Sequence, residues 1–135
     1  MNLYDLYLTK KLNGGDIDSN AVLKSFVEGN LREVTADMLD GVTEISVYAF
    51  YNYSPLISIT IPASVTSIGN DAFSSCSKLA SVTMLRTTPP TLGGTSVFSS
   101  TSSALVIYVP AESVNAYKAA SRWSSYKSRI QAIPS

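Results

Sequence analysis

Few side chains in this 135-residue sequence are able to do chemistry, and their spacing decides against most of it. Histidine is absent, so neither a Ser-His nor a Cys-His nucleophile pair can form and a histidine-ligated metal is excluded. The single cysteine, Cys76, has no partner for an intrachain disulfide. It stands 23 residues after Tyr53 in a repeating pattern, which points to a buried filler and not to a reactive thiol. Asp37, Asp40 and Glu44 lie close in sequence but lack the ligand spacing of an EF-hand loop, and read as a solvated acidic face. Gly93-Gly94 has no G-x-G-x-x-G or GK[ST] around it and makes no phosphate cradle. No cofactor, metal site or catalytic centre is expected. Ten basic and ten acidic residues cancel, which removes the net positive charge that phosphate binding exploits and argues against a nucleic-acid partner.

What is left is recognition chemistry, carried by tyrosine rings and hydroxyl groups, and its placement depends on a repeat. Ile45, Phe50, Leu56, Ile59 and Ile61 recur as Ile68, Phe73, Leu79, Val82 and Met84, each pair 23 apart. Residues 36–58 set over 59–81 also match at Val42/Val65, Thr43/Thr66, Ala49/Ala72, Ser54/Ser77 and Ser58/Ser81. A looser third copy begins at Val82, takes a two-residue insertion around Thr87-Thr88-Pro89-Pro90, and recovers its aromatic at Phe98. Ile107-Tyr108-Val109-Pro110-Ala111 echoes Ile59-Thr60-Ile61-Pro62-Ala63. A fixed period of this length marks a solenoid, because one short unit cannot bury its apolar face alone and must stack on copies of itself.

Within a unit, Ser58-Ile59-Thr60-Ile61 alternates with period two and reads as a strand with Ile59 and Ile61 inward, stopped by Pro62. Val65 and Ile68 lead to a turn at Gly69, and Asp71 to Cys76 reads as a tight helical turn that sends Ala72, Phe73 and Cys76 into the core. The run LISITIPASVTSIGNDAFSSCSKLASV resembles the BspA-type leucine-rich repeats of bacterial surface and secreted proteins. Their pattern is an I-x-I-P strand, V-x-x-I-G, then A-F-x-x-C and a leucine. The chain departs from it at Tyr53, at Met38-Leu39 and over Thr88–Gly94. The resemblance implies an α/β solenoid of short strands and helical turns. It also implies a non-enzymatic role in adhesion or protein-protein recognition at a bacterial or host surface, often as part of a longer protein.

Three segments follow: residues 1–30 as an N-terminal cap and linker, 31–110 as the solenoid, and 111–135 as a helical C-terminal cap. In the last, Pro110 opens a helix, Val114, Tyr117 and Ala120 share one face, and Trp123, Tyr126 and Ile130 continue the apolar stripe as a plug for the final coil. Residues 1–12 carry Leu3, Leu6, Tyr7 and Leu12 at helical spacing before Asn13-Gly14-Gly15-Asp16 breaks the pattern. They lack a basic start and a long apolar run, so they do not read as a signal peptide, and no apolar stretch approaches the ~20 residues of a membrane span. The opening MNLYDLYLTKKLNGG resembles the leader of some phage and prophage proteins of Gram-positive gut bacteria, which implies an alternative role as an accessory protein of a phage particle.

The outward strand positions align as Thr35/Ser58/Ser81/Val106 and as Asp37/Thr60/Thr83/Tyr108, a hydroxyl-rich ladder. Tyr48 aligns with Asp71 and Tyr51 with Ser74, so both rings are expected on the surface. Tyr48, Tyr51, Asp37, Thr60, Thr83 and Tyr108 are therefore the candidate binding residues for a protein or glycan ligand. Packing of the two tyrosines under the N-terminal segment is the other reading. Residues 1–71 hold nine acids and four bases, whereas 72–135 hold one acid and six bases, so a solenoid of this sequence is electrically polar from end to end.

Overall fold

The computed structural model describes residues 31–134. The expected N-terminal cap, residues 1–30, lies outside the described residues.

Alternating apolar residues build eight short strands. β1 is Glu33–Val34, β2 Glu44–Ile45, β3 Ser58–Ile61, β4 Ser67–Ile68, β5 Ser81–Met84, β6 Thr91–Leu92, β7 Val106–Val109 and β8 Ile130–Ala132. They form a five-stranded sheet in the order β1-β3-β5-β7-β8 and a three-stranded sheet in the order β2-β4-β6, and every pairing is parallel. Parallel pairing of every second strand is what a solenoid produces, since each coil returns to the same side before it pairs with the next.

A third side has no strands but is laddered all the same. Phe50 N–H donates to Ala72 O and Asn52 N–H to Ser74 O; one coil later Phe73 N–H donates to Val97 O and Ser75 N–H to Ser99 O. The intervening amides close tight turns locally, as from Ser74 to Asp71 O and from Cys76 to Phe73 O. The sequence predicts a helical turn here. The observed turns instead carry left-handed backbone at Tyr48, Asn52, Asp71, Ser75 and Ser100, which prevents a helix from propagating and frees alternate amides for the next coil.

The core sits inside the three sides. Ile59, Ile61, Val65, Ile68, Ala72, Phe73, Cys76 and Leu79 are all buried, as are the counterparts Ile45, Ala49, Phe50, Leu56, Val82 and Met84, while Val42 and Tyr53 are half-buried. Phe50, Phe73 and Phe98 stack down the axis nearly parallel, with centroids 5.2 and 5.6 Å apart. Gly69 is fixed by packing: a Cβ there would stand 2.2 Å from the backbone nitrogen of Val47 in the preceding coil.

Two insertions are absorbed between these fixed points. Val34 pairs with Ile59, so the first coil is two residues longer than the second, and the 3-10 helix Asp37–Leu39 takes up the excess while burying Leu39. In the third coil the offset is 24 at Thr91 and Leu92, and it has grown by two at the aromatic, where Phe73 N–H reaches Val97 O, 24 residues on, against the 22 from Phe50 N–H to Ala72 O one coil earlier. The two extra residues thus fall on either side of β6, not both before it.

The C-terminal segment forms one more coil. After a 3-10 turn at Ala111–Ser113 come helix α1 (Val114–Ala119), a second 3-10 stretch (Trp123–Arg129) and β8. A purely helical ending is therefore corrected: Ile130 leaves the helical stripe and pairs with Ile107 as the fifth strand of the large sheet. Tyr117, Trp123 and Ile130 are buried, and Trp123 and Tyr126 end the phenylalanine stack.

Candidate binding surface

Among the described residues, three of the five exposed large apolar side chains, Val47, Tyr48 and Tyr51, lie within one turn, while Ile57 and Leu85 stand apart from them in sequence. Tyr48 and Tyr51 are 56% and 51% exposed, and Val47 beside them is 52% exposed. The two rings meet edge to face, with centroids 5.3 Å apart and planes at 85°, so the pair offers one ring face and one ring edge outward. Their backbone is tied down: Tyr48 N–H donates to Asn70 O and Tyr51 N–H to Tyr48 O. Tyr48 sits in the left-handed region at φ 64°, where Asp71 sits one coil later at φ 59°. Aspartate tolerates that conformation; a bulky tyrosine pays of order 1–2 kcal/mol for it.

The hydroxyl ladder forms on a different element. Ser58, Ser81 and Val106 pair across β3, β5 and β7, as do Thr60, Thr83 and Tyr108, and the second row continues to Gln131 in β8. All face outward; those in β3, β5 and β7 are half-buried among their neighbours, and Gln131 at the sheet's end is exposed. Asp37 does not belong to this row. Because Glu33 pairs with Ser58, the first coil enters the sheet two residues earlier than the 23-residue alignment places it, and Asp37 lies exposed on the 3-10 turn beyond β1. Nor do the tyrosines join the ladder: they lie on the turn side, whose bonds run to Asn70, Ala72 and Ser74, not to the large sheet. One composite patch of tyrosines, Asp37 and threonines is thus corrected to two surfaces.

Cys76 is a core residue. Its thiol donates to Phe50 O at 3.1 Å, and burial raises its pKa to about 11, which keeps the thiolate, the reactive form, scarce at neutral pH. Tyr53, one coil earlier, fills the same slot and accepts from Leu31 N–H through its hydroxyl at 3.0 Å. Among the described residues, no three His, Cys, Asp or Glu side chains gather closely enough to hold a metal ion. No described helix is long and apolar enough to cross a membrane.

Sequence reasoning does not reveal how the last coil is held. The irregular stretch 86–95 leaves carbonyls that no strand takes, and side chains of the C-terminal coil satisfy them. Tyr117 hydroxyl donates to Arg86 O (2.6 Å), Ser113 Oγ to Thr87 O (2.7 Å), Trp123 Nε1 to Pro90 O (2.7 Å) and Arg122 Nη1 to Leu92 O (2.7 Å). The Tyr126 hydroxyl reaches Thr95 O as well. An open cleft of about 360 Å³ lies along this seam between Pro89–Leu92 and Ala120–Trp123. The Trp123 and Arg122 bonds cross it, which marks it as a joint between coils. The exposed Val47 is a second omission, and its counterpart Asn70 is the signal that could have found it: an apolar residue where the next repeat has a polar one.

The model of the "BspA type Leucine rich repeat region (6 copies)" matches residues 23–124, which is more than half of the chain. Among curated proteins none matches. Arrays of this kind are generally non-catalytic scaffolds for binding other proteins. With parallel strands in two sheets, a laddered third side and a match across most of its length, the chain belongs to the BspA-type leucine-rich repeat family.

Proposed function

We propose that this chain is a non-enzymatic, adhesion-type module that binds a partner protein through the surface formed by Val47, Tyr48 and Tyr51. The observation that carries the reading is Tyr48: a large ring, 56% exposed, on backbone that disfavours a tyrosine. Neither exposure nor strain helps the fold, and strained, exposed residues of this kind cluster at ligand contacts. Two rings at right angles bury area against a protein surface while their hydroxyls keep hydrogen bonds, which suits a protein partner better than the flat face a single stacked sugar needs. The Thr60, Thr83 and Tyr108 row supplies a second, polar surface on the large sheet. Family membership supports action at a bacterial surface or in secreted form, as part of a longer protein. A phage-particle role rests on residues 1–15 alone, and tail or capsid genes alongside would favour it.

An array of matrix proteins and glycans probed with the chain tests the reading. Tyr48→Ser with Tyr51→Ser should weaken capture by about 30-fold or more, the equivalent of losing ~2 kcal/mol from a hot spot. Serine already adopts the left-handed backbone at Ser75 and Ser100, so the melting temperature should stay level or rise. Capture retained at full strength, or a melting temperature that collapses, would refute the assignment.

A further inference from the structure

We propose that the surface at Val47, Tyr48 and Tyr51 takes a basic segment of its partner protein, with a lysine or arginine laid over the outward tyrosine face and held by the carboxylates of Asp71 and Glu44. The inference rests on the tyrosine surface being the binding site and adds the charge of what binds there. Its first support is register. Tyr48 N–H donates to Asn70 O, and Tyr48 and Asp71 share left-handed backbone at φ 64° and 59°. Equivalent residues of successive parallel coils stand about 4.8 Å apart, so the Asp71 side chain leaves the surface one coil step from the Tyr48 ring. Glu44 supplies a second carboxylate from the same coil as the rings: it is exposed in β2, four residues before Tyr48, with exposed Val47 between them.

The second support is that these charges are unanswered. Among the described residues, neither the Asp71 nor the Glu44 carboxylate has a hydrogen bond or an ion pair. Residues 31–77 hold five acids, Glu33, Asp37, Asp40, Glu44 and Asp71, against one base, Arg32. The Arg32 carbonyl accepts from Ile57 and Ser58 N–H, which puts that base at the corner leading into the large sheet, whereas Val47 and Tyr48 follow the small one.

The third is the chemistry of the rings. The edge-to-face pair leaves one π face outward, and the negative face of an aromatic ring attracts a cation. An arginine meets both demands at once, because its planar guanidinium stacks on a ring while donating to a carboxylate. A neutral partner would leave the two carboxylates unpaired at the rim, and an acidic one would add like-charge repulsion.

A displayed library of random dodecapeptides tests this, selected on the full chain and counter-selected on the Tyr48→Ser, Tyr51→Ser variant so that only peptides that need the rings are kept. Those peptides should be enriched at least about twofold in lysine and arginine over the input, and depleted in aspartate and glutamate. Their affinity should fall about tenfold in Asp71→Asn with Glu44→Gln, and by a similar factor between ~20 and ~300 mM salt. Asparagine accepts left-handed backbone as aspartate does, so the carboxylate variant should keep its melting temperature. Ring-dependent peptides with no enrichment in bases, or an affinity indifferent to salt and to the carboxylate changes, would overturn the basic partner while leaving the tyrosine surface in place. Recovery of no ring-dependent peptide would mark the failure of the surface itself, and the proposal would fall with it.

Discussion

Replacing Trp123 should unseat the last coil. The side chain is 1% exposed, its indole N–H donates to Pro90 O at 2.7 Å, and its ring stands 5.0 Å from Tyr117 and 6.0 Å from Phe98. Trp123→Ala removes the ring and leaves a cavity between α1 and the phenylalanine stack, at a cost of about 3–5 kcal/mol. The buried Pro90 carbonyl also loses its donor. Trp123→Phe isolates that second effect: it keeps most of the ring contact and removes the N–H, so it should cost about 1–2 kcal/mol. Total stabilities of 5–15 kcal/mol are typical of single domains, so the alanine variant forfeits a large share. Urea unfolding followed by far-UV circular dichroism reads both, and with an m-value of ~1–3 kcal/mol/M the alanine midpoint should fall by more than about 1 M. A fall under about 0.3 M, or a phenylalanine variant as unstable as the alanine one, would refute the reasoning.

Phe73→Ala empties the middle of the three-ring stack and should cost about 3–5 kcal/mol in the same melt; a midpoint unchanged within error would mean the stack does not hold the coils. Gly69→Ala would ordinarily stabilise by about 0.4–1 kcal/mol through the unfolded chain. Here the new Cβ would meet the Val47 nitrogen at 2.2 Å, backbone against backbone, so a loss of about 3 kcal/mol or more is expected. Burial raises the pKa of Cys76 to about 11 and that of Tyr117 to about 12, from ordinary values of 9.0 and 10.0. The unfolded chain therefore releases these protons first, and stability should decline as pH rises above about 9, the Cys76 part vanishing in Cys76→Ala. A melting temperature that climbs between pH 9 and 11 would contradict that sign.

The core was legible because burial punishes change at every coil: Ile45/Ile68, Phe50/Phe73 and Leu56/Leu79 keep their types at a constant spacing. Insertions were not, since loop residues between buried anchors shift with no apolar signature. Hence Asp37 reads as in register when Glu33 is the residue that pairs with Ser58. β8 was hidden for a related reason. Trp123, Tyr126 and Ile130 fit a helical stripe, and three residues are too few to show a strand's alternation. The docking of the last coil onto the carbonyls of residues 86–95 has no sequence signal on the acceptor side, because every residue has a carbonyl. The binding surface was half legible. Polar Asp71 correctly marks the Tyr48 position as outward, yet Ser74, aligned with the exposed Tyr51, is itself buried.

Hydroxyl-radical footprinting, with and without the captured partner, tests the central claim most directly because it needs no substitution and reports on each ring separately. Tyr48 and Tyr51 should be readily oxidised in the free chain, as their exposure requires, and protected in the complex, while half-buried Tyr108 on the large sheet keeps its rate. Protection of Tyr108 with Tyr48 and Tyr51 unchanged would place the partner on the strand ladder and contradict the account.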